Sequence, residues 1–278
     1  MMRKTRQLSD PAMKVSYLEA GQGSPLLLIH GVGMNAASWA PQIETLQRFF
    51  RVIAVDMPGH GASEGFNHPA TLEDYVAWIA AFLRARPEKA FAVAGHSMGA
   101  LIAAGLAIEH PEQVSHAIIM SGVYQRSEEA RAAVMARATE LASGDAQLDS
   151  PLARWFSDTP EEAALRARVS EWLKEVDPKG YARAYQAFAA GDAVYASRWK
   201  EMRCPVMVLT GELDANSSPA MARSMAAAAP QGRAVIISNA KHMVSLTDAP
   251  RVNEEILAFL RPTASASQPE NAGVTDER

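Results

Sequence analysis

Short apolar runs recur along the chain, each closed by glycine, proline or a polar turn. They lie at residues 26–29, 51–55, 90–94, 114–120, 206–210 and 234–237. The first ends at His30-Gly31, the second at Asp56 and the turn Pro58-Gly59-His60-Gly61, and the third at Gly95. Continuous apolar runs of this length suit strands covered on both faces, not strands with one wet face. Helical patterns separate them. Thr71-Leu72-Glu73-Asp74 reads as a capping box that opens a helix running to Arg84. Residues 98–108 are rich in Gly and Ala and can pack closely on a sheet; residues 217–228 and 250–260 give two further helices, with Pro250 acceptable in a first turn. Strand and helix in alternation predict a mostly parallel sheet with helices on both faces.

The alternation stops between residues 124 and 200. This stretch has no convincing strand but carries Ala-rich amphipathic segments with Trp155, Phe156, Trp172, Tyr181, Tyr185, Phe188 and Trp199. We read it as a helical cap inserted over the sheet's carboxyl edge, the plainer alternative being extra packing helices. The α/β core then comprises residues 1–123 and 201–262. Residues 263–278 are mostly Ser, Ala, Pro and Glu with little to bury, and are expected to be a disordered tail.

Composition narrows the functional classes. The chain has 278 residues, 48% hydrophobic and 21% charged, as expected of one globular domain with an insertion. A net charge of −4 gives no footprint for nucleic acid or a membrane surface. The single cysteine, Cys204, excludes an intrachain disulfide and a cysteine-based metal cluster. Residues 1–15 are basic but lack the apolar core of a signal peptide, and no apolar run reaches membrane-spanning length. The expectation is a cytoplasmic protein, monomer or homodimer, that acts on a small molecule with no metal or cofactor.

The chemistry-bearing motif is Gly95-His96-Ser97-Met98-Gly99, which fits G-x-S-x-G. By composition, on the order of one chain in ten this long would carry that pattern by chance. Here an apolar strand precedes it and an Ala-rich helix follows, the setting a nucleophile elbow requires. Such a turn is too tight for side chains at Gly95 and Gly99. It holds Ser97 at the amino end of a helix, where the dipole favours developing negative charge. A serine hydroxyl needs a base beside it. Of seven histidines, His30 and His60 lie in glycine turns, His96 within the elbow, His68 and His110 beside prolines, and His116 in a strand. His242 remains, in the loop after the last strand, where an open sheet gathers reactive groups. The orienting acid is Asp214, in Gly211-Glu212-Leu213-Asp214 after the strand at 206–210; Glu212 is its competitor. The chain order is then Ser, Asp, His. For an oxyanion hole the backbone N–H groups of Met98 and of Val32, in His30-Gly31-Val32-Gly33, are the candidates. The latter loop lacks the third glycine of a dinucleotide fingerprint.

Taken together, His30-Gly31, the run from Asp56 to Ser63, the elbow at Ser97, Gly211-Glu212-Leu213-Asp214 and His242 resemble the α/β-hydrolase family over about residues 15–260. The resemblance implies an eight-stranded, mostly parallel sheet, a cap after the sixth strand, and structural turn roles for Asp56 and Ser63. The segments Ala184-Tyr185-Gln186-Ala187-Phe188 and Ser218-Pro219-Ala220-Met221-Ala222 look like the serine-hydrolase branch of 3-oxoadipate enol-lactonase and small carboxylesterases. Ser97 departs from the Asp nucleophile of the dehalogenase and epoxide hydrolase branches, and His96 from the Asn common before the nucleophile in C–C hydrolases. The expected activity is therefore hydrolysis of a small carboxylic ester or lactone through an acyl-enzyme. The alternatives are a C–C or amide hydrolase with the same residues, or a small-molecule receptor. Arg126 and Arg131, at the start of the insertion, are candidates to pair with a substrate carboxylate.

Overall fold

A computed structural model describes residues 1–144 and 150–261, so the expected tail lies outside the described residues. Eight strands form one sheet: β1 (Met2–Gln7), β2 (Lys14–Ala20), β3 (Pro25–Ile29), β4 (Arg51–Val55), β5 (Phe91–His96), β6 (Val114–Met120), β7 (Val206–Gly211) and β8 (Gly232–Ile237). Their order is β1-β2-β4-β3-β5-β6-β7-β8. The β1–β2 and β2–β4 pairs are antiparallel and the rest of the sheet is parallel. The six apolar runs read from the sequence are β3 to β8. The two antiparallel strands carry no such run: β1 is a mostly exposed edge strand, Met-Arg-Lys-Thr-Arg-Gln, held by backbone pairing to β2.

Helices cover both faces: α1 (Ala40–Leu46), α2 (Leu72–Arg84), α3 (Met98–Glu109), α4 (Glu128–Ser143), α5 (Leu152–Trp155), α6 (Pro160–Glu175), α7 (Pro178–Gly191), α8 (Pro219–Ala228), α9 (Val244–Thr247) and α10 (Ala249–Leu260). Strand periodicity divides the core between the faces. Leu27, Ile29, Ile53 and Val55 pack with α2, α3 and α8, whereas Leu26, Leu28, Val52 and Ala54 pack with α1 and α10. The capping box at Thr71 is present: the Thr71 N–H donates to the Asp74 carboxylate at 2.8 Å, and Thr71 Oγ1 accepts the Asp74 N–H.

Between β6 and β7 the described residues form helices only. Val169, Leu173 and Tyr181 of α6 and α7 are buried and belong to the same apolar cluster as α2 and α3. Gly59 meets Gly180 at the start of α7 so closely that a Cβ on Gly180 would sit 2.3 Å from the Gly59 carbonyl oxygen. Asp56 knits the turn after β4: its carboxylate accepts the N–H groups of Ala36 at 2.7 Å and Ala62 at 3.1 Å and pairs with Arg3 of β1, while Ser63 Oγ donates to its carbonyl at 2.7 Å. Among the described residues no helix is long and apolar enough to cross a membrane.

Candidate active site

The parallel strands all end at one edge, so the loops after β3, β5, β7 and β8 meet there. Ser97 sits between β5 and α3 with φ 55° and ψ −113°, a left-handed conformation that a serine adopts only when its surroundings impose it. The glycines explain why it is tolerated. A Cβ on Gly95 would lie 1.9 Å from the Gly99 carbonyl oxygen, and a Cβ on Gly99 would lie 2.1 Å from that of Ile29. Neither position admits any other residue without moving backbone.

Ser97 and His242 both line a cavity of about 270 Å³. Behind His242, Asp214 accepts a hydrogen bond from its Nδ1 at 2.9 Å. Both are buried, at 3% exposure each. Asp214 is itself fixed: its carboxylate accepts the N–H groups of Asn216 at 2.9 Å and Ser217 at 3.0 Å and the Thr210 hydroxyl at 3.3 Å. Burial alone would push the Asp214 carboxyl up. The His242 ring and the two backbone donors outweigh it and hold the group below the usual carboxylate range. Glu212 lies elsewhere, exposed, accepting the Asn239 N–H at 3.0 Å. Of the two acids weighed from the sequence, only Asp214 reaches His242.

Val32 forms part of the cavity wall, and Met98 is the first residue of α3. Among the described residues neither N–H has a protein acceptor. The adjacent Gly33 N–H, by contrast, donates to His60 Nε2 at 3.1 Å. His60 is buried and stays neutral, its value lowered to about 3 by burial and then by the neighbouring His30, so the acceptor nitrogen is kept.

Several contributors were not singled out from the sequence. His96 Nε2 and the Ser121 hydroxyl both donate to the His242 carbonyl, at 2.9 and 3.2 Å, and so hold its loop from beneath. Burial, and then the proximity of His242, lowers His96 to about 3, which keeps it neutral. Trp155 of α5 lies 5.7 Å from the His242 ring, and Lys241 reaches back to the Phe156 carbonyl at 2.9 Å. Of the aromatics of the insertion, Trp155, Tyr181, Tyr185 and Phe188 line the cavity, whereas Phe156, Trp172 and Trp199 are buried away from it. Arg126 is in the wall, Arg131 is not, and Arg154, which the sequence reading passed over, is.

The Alpha/beta hydrolase family matches residues 26–255. The chain belongs to that family. It is 43% identical over 263 residues to an (E)-2-((N-methylformamido)methylene)succinate hydrolase of Acinetobacter baylyi, covering 95% of this chain and 100% of that one. It is 30% identical over 261 residues to a pimeloyl-[acyl-carrier protein] methyl ester esterase of Aliivibrio salmonicida, covering 87% and 94%. Among solved structures, the enol-lactonase of Burkholderia xenovorans superposes with a TM-score of 0.82 at 24% identity, covering 92% of this chain and 99% of that one; this is a likeness of fold. The chain is a hydrolase.

Proposed function

We propose that this hydrolase works by acyl transfer to Ser97 and that the bond it opens is a small N-acyl bond. The observation that carries the mechanism is the meeting of Ser97 and His242 on one cavity with Asp214 on the far side of the imidazole. In this reading His242 takes the Ser97 hydroxyl proton as Oγ attacks the acyl carbon, and Asp214 fixes the tautomer and stabilises the imidazolium. The oxyanion of the tetrahedral intermediate accepts the N–H groups of Val32 and Met98. Collapse breaks the C–N bond, the departing nitrogen takes the proton from His242, and Ser97 is left acylated. Water, deprotonated by His242, then attacks the acyl carbon and releases the carboxylic acid. Residues 124–200 are the cap that closes this site, the remaining described chain is its core, and the substrate is a small molecule.

The bond type rests on the relative that is 43% identical, whose named substrate carries a formyl group on nitrogen. The ester or lactone expected from the sequence is the second reading. It is favoured by the 30% identical methyl ester esterase and would pass through the same acyl-serine. The experiment offers the purified protein (E)-2-((N-methylformamido)methylene)succinate, short-chain esters and small lactones in parallel. The N-acyl reading predicts many turnovers of formate release, abolished in Ser97→Ala. Brisk turnover of esters or lactones with no release of formate would establish the second reading instead.

A further inference from the structure

Among the described residues the wall of the cavity holds two arginines, Arg126 and Arg154, and no aspartate or glutamate. This is an unusual balance in a chain of net charge −4. Arg126 is deeply buried, its side chain 4% exposed. Its guanidinium stacks on the Phe188 ring at 4.4 Å and lies 3.2 Å from Asp192. Asp192 is shared: Arg131 approaches its other oxygen, also at 3.2 Å. Two cations therefore face one carboxylate. Among the described residues Arg126 Nη2 is buried with no acceptor. Burial pulls the Arg126 guanidinium below its ordinary value, against the pull of Asp192, as expected of a cation incompletely compensated. Arg154 is exposed at the cavity mouth and has no ion-pair partner among the described residues. Tyr185, also on the wall, lies in the electrostatic field of Arg137, Arg154 and Arg126. Arg137 stands behind the wall, not in it, and pairs with Glu140 at 3.4 Å.

We propose that Arg126 and Arg154 bind two carboxylates of the substrate, so that the enzyme selects dianionic, dicarboxylic acyl compounds and discriminates against their neutral esters. The charge count sets the stoichiometry. Among the described residues Arg126 and Arg131 share the single carboxylate of Asp192 and Arg154 has no carboxylate partner, so two carboxylates of a substrate match the two wall arginines. Guanidinium groups suit the task, since their planar forks match carboxylates bidentately and remain charged when desolvated. The apolar remainder of the wall, Val134, Tyr181, Tyr185 and Phe188 among it, lowers the local dielectric and strengthens both contacts. Arg126 and Arg154 are in this account specificity residues for the hydrolytic site proposed above, and the inference rests on that site being the one that binds substrate.

The test separates binding from chemistry. In the Ser97→Ala variant, which turns nothing over, the affinity for 2-methylenesuccinate and for its dimethyl ester is measured by calorimetry. The account predicts that the diacid binds at least tenfold more tightly than the diester, with an affinity that falls as salt is raised. Arg154→Gln, at an exposed position that does not threaten the fold, weakens diacid binding about tenfold and leaves the diester unchanged, since only the diacid makes a charge-assisted contact there. Arg126→Lys, which keeps the charge beside Asp192 but loses the fork, weakens the diacid by a smaller factor. Equal affinity for diacid and diester, or an Arg154→Gln loss shared by both, overturns the proposal. Because no turnover is read, these results stand apart from failure of the acyl-transfer mechanism. That failure would appear as wild-type enzyme that binds the diacid but hydrolyses no acyl compound.

Discussion

The sheet-edge loops and the helical insertion contribute to one cavity in opposite ways. Every residue of β5 is buried, and in α3 every residue from Met98 to Ile108 is. Ser97, between them, has almost no conformational choice. In the insertion, α4 buries only Ala138 and Leu141 among its sixteen residues and leaves Met135 43% exposed. The core thus holds the loops that carry Ser97, Asp214 and His242, while the insertion supplies the buried Arg126, the half-buried Trp155 and Tyr185 and the exposed Arg154. Positions held by backbone sterics tolerate no substitution. Positions held by exposed helices can change without loss of the fold, which suits a region that selects substrates.

This contrast makes graded predictions. Ser97→Ala should lower kcat by roughly four to six orders of magnitude with an unchanged circular dichroism spectrum, since removing the nucleophile leaves only binding and oxyanion donors. Asp214→Asn should cost about four orders of magnitude by mis-setting the His242 tautomer, whereas Glu212→Gln, at an exposed carboxylate, should stay within about twofold. A reversal of those two effects would move the acid to Glu212. His96→Phe keeps the ring volume but removes one of the two donors to the His242 carbonyl. It should lower kcat about fivefold with KM unmoved, the size expected for one hydrogen bond of about 1 kcal/mol. A rise in KM instead would mean that His96 shapes the pocket and does not support the base.

The smallest effect on catalysis belongs at the opposite end of the sheet. There Glu19 of β2 is ringed by Lys4 at 2.6 Å, Arg51 at 2.5 Å and Arg86 at 3.0 Å. Burial would raise this carboxyl, but the three cations together lower it to about 2. A depressed folded value means that the charged form stabilises the fold above the unfolded value, about 4.3, and that this contribution fades as pH falls toward 2. Glu19→Gln should therefore lower Tm at neutral pH, and the gap to wild type should close between about pH 4.3 and 2. A gap independent of pH across that window would assign the loss to packing.

How much of this was legible in the sequence follows the same division. The strands β3 to β7 announce themselves because they are largely covered on both faces, whereas β8, an edge strand that is mostly exposed or half-buried, shows only the short run 234–237, a correction to the reading of it as covered on both faces. The strands β1 and β2 do not announce themselves, because β1 is exposed and polar and is specified by backbone pairing with β2. The elbow, Asp214 and His242 were readable because tight glycine turns and strand ends constrain local sequence. Asp214 was preferred to Glu212 from the sequence although both follow the same strand, and of the two only the Asp214 side chain turns inward to His242. His96 was visible but set aside: its role lies in a hydrogen bond to a residue 146 positions away. Arg154 carries no local signal, because its place in the wall depends on how α5 settles against the His242 loop.

The central claim is that Ser97 Oγ is the nucleophile that carries the acyl group in a covalent acyl-enzyme, and the most direct measurement is active-site labelling followed by peptide mass spectrometry. Treated with a fluorophosphonate, the wild-type protein should lose activity with one equivalent of label, all of it on the peptide containing Ser97. The folded Ser97→Ala variant should take up none. Label on another residue, or label on an intact Ser97→Ala protein, would contradict the account.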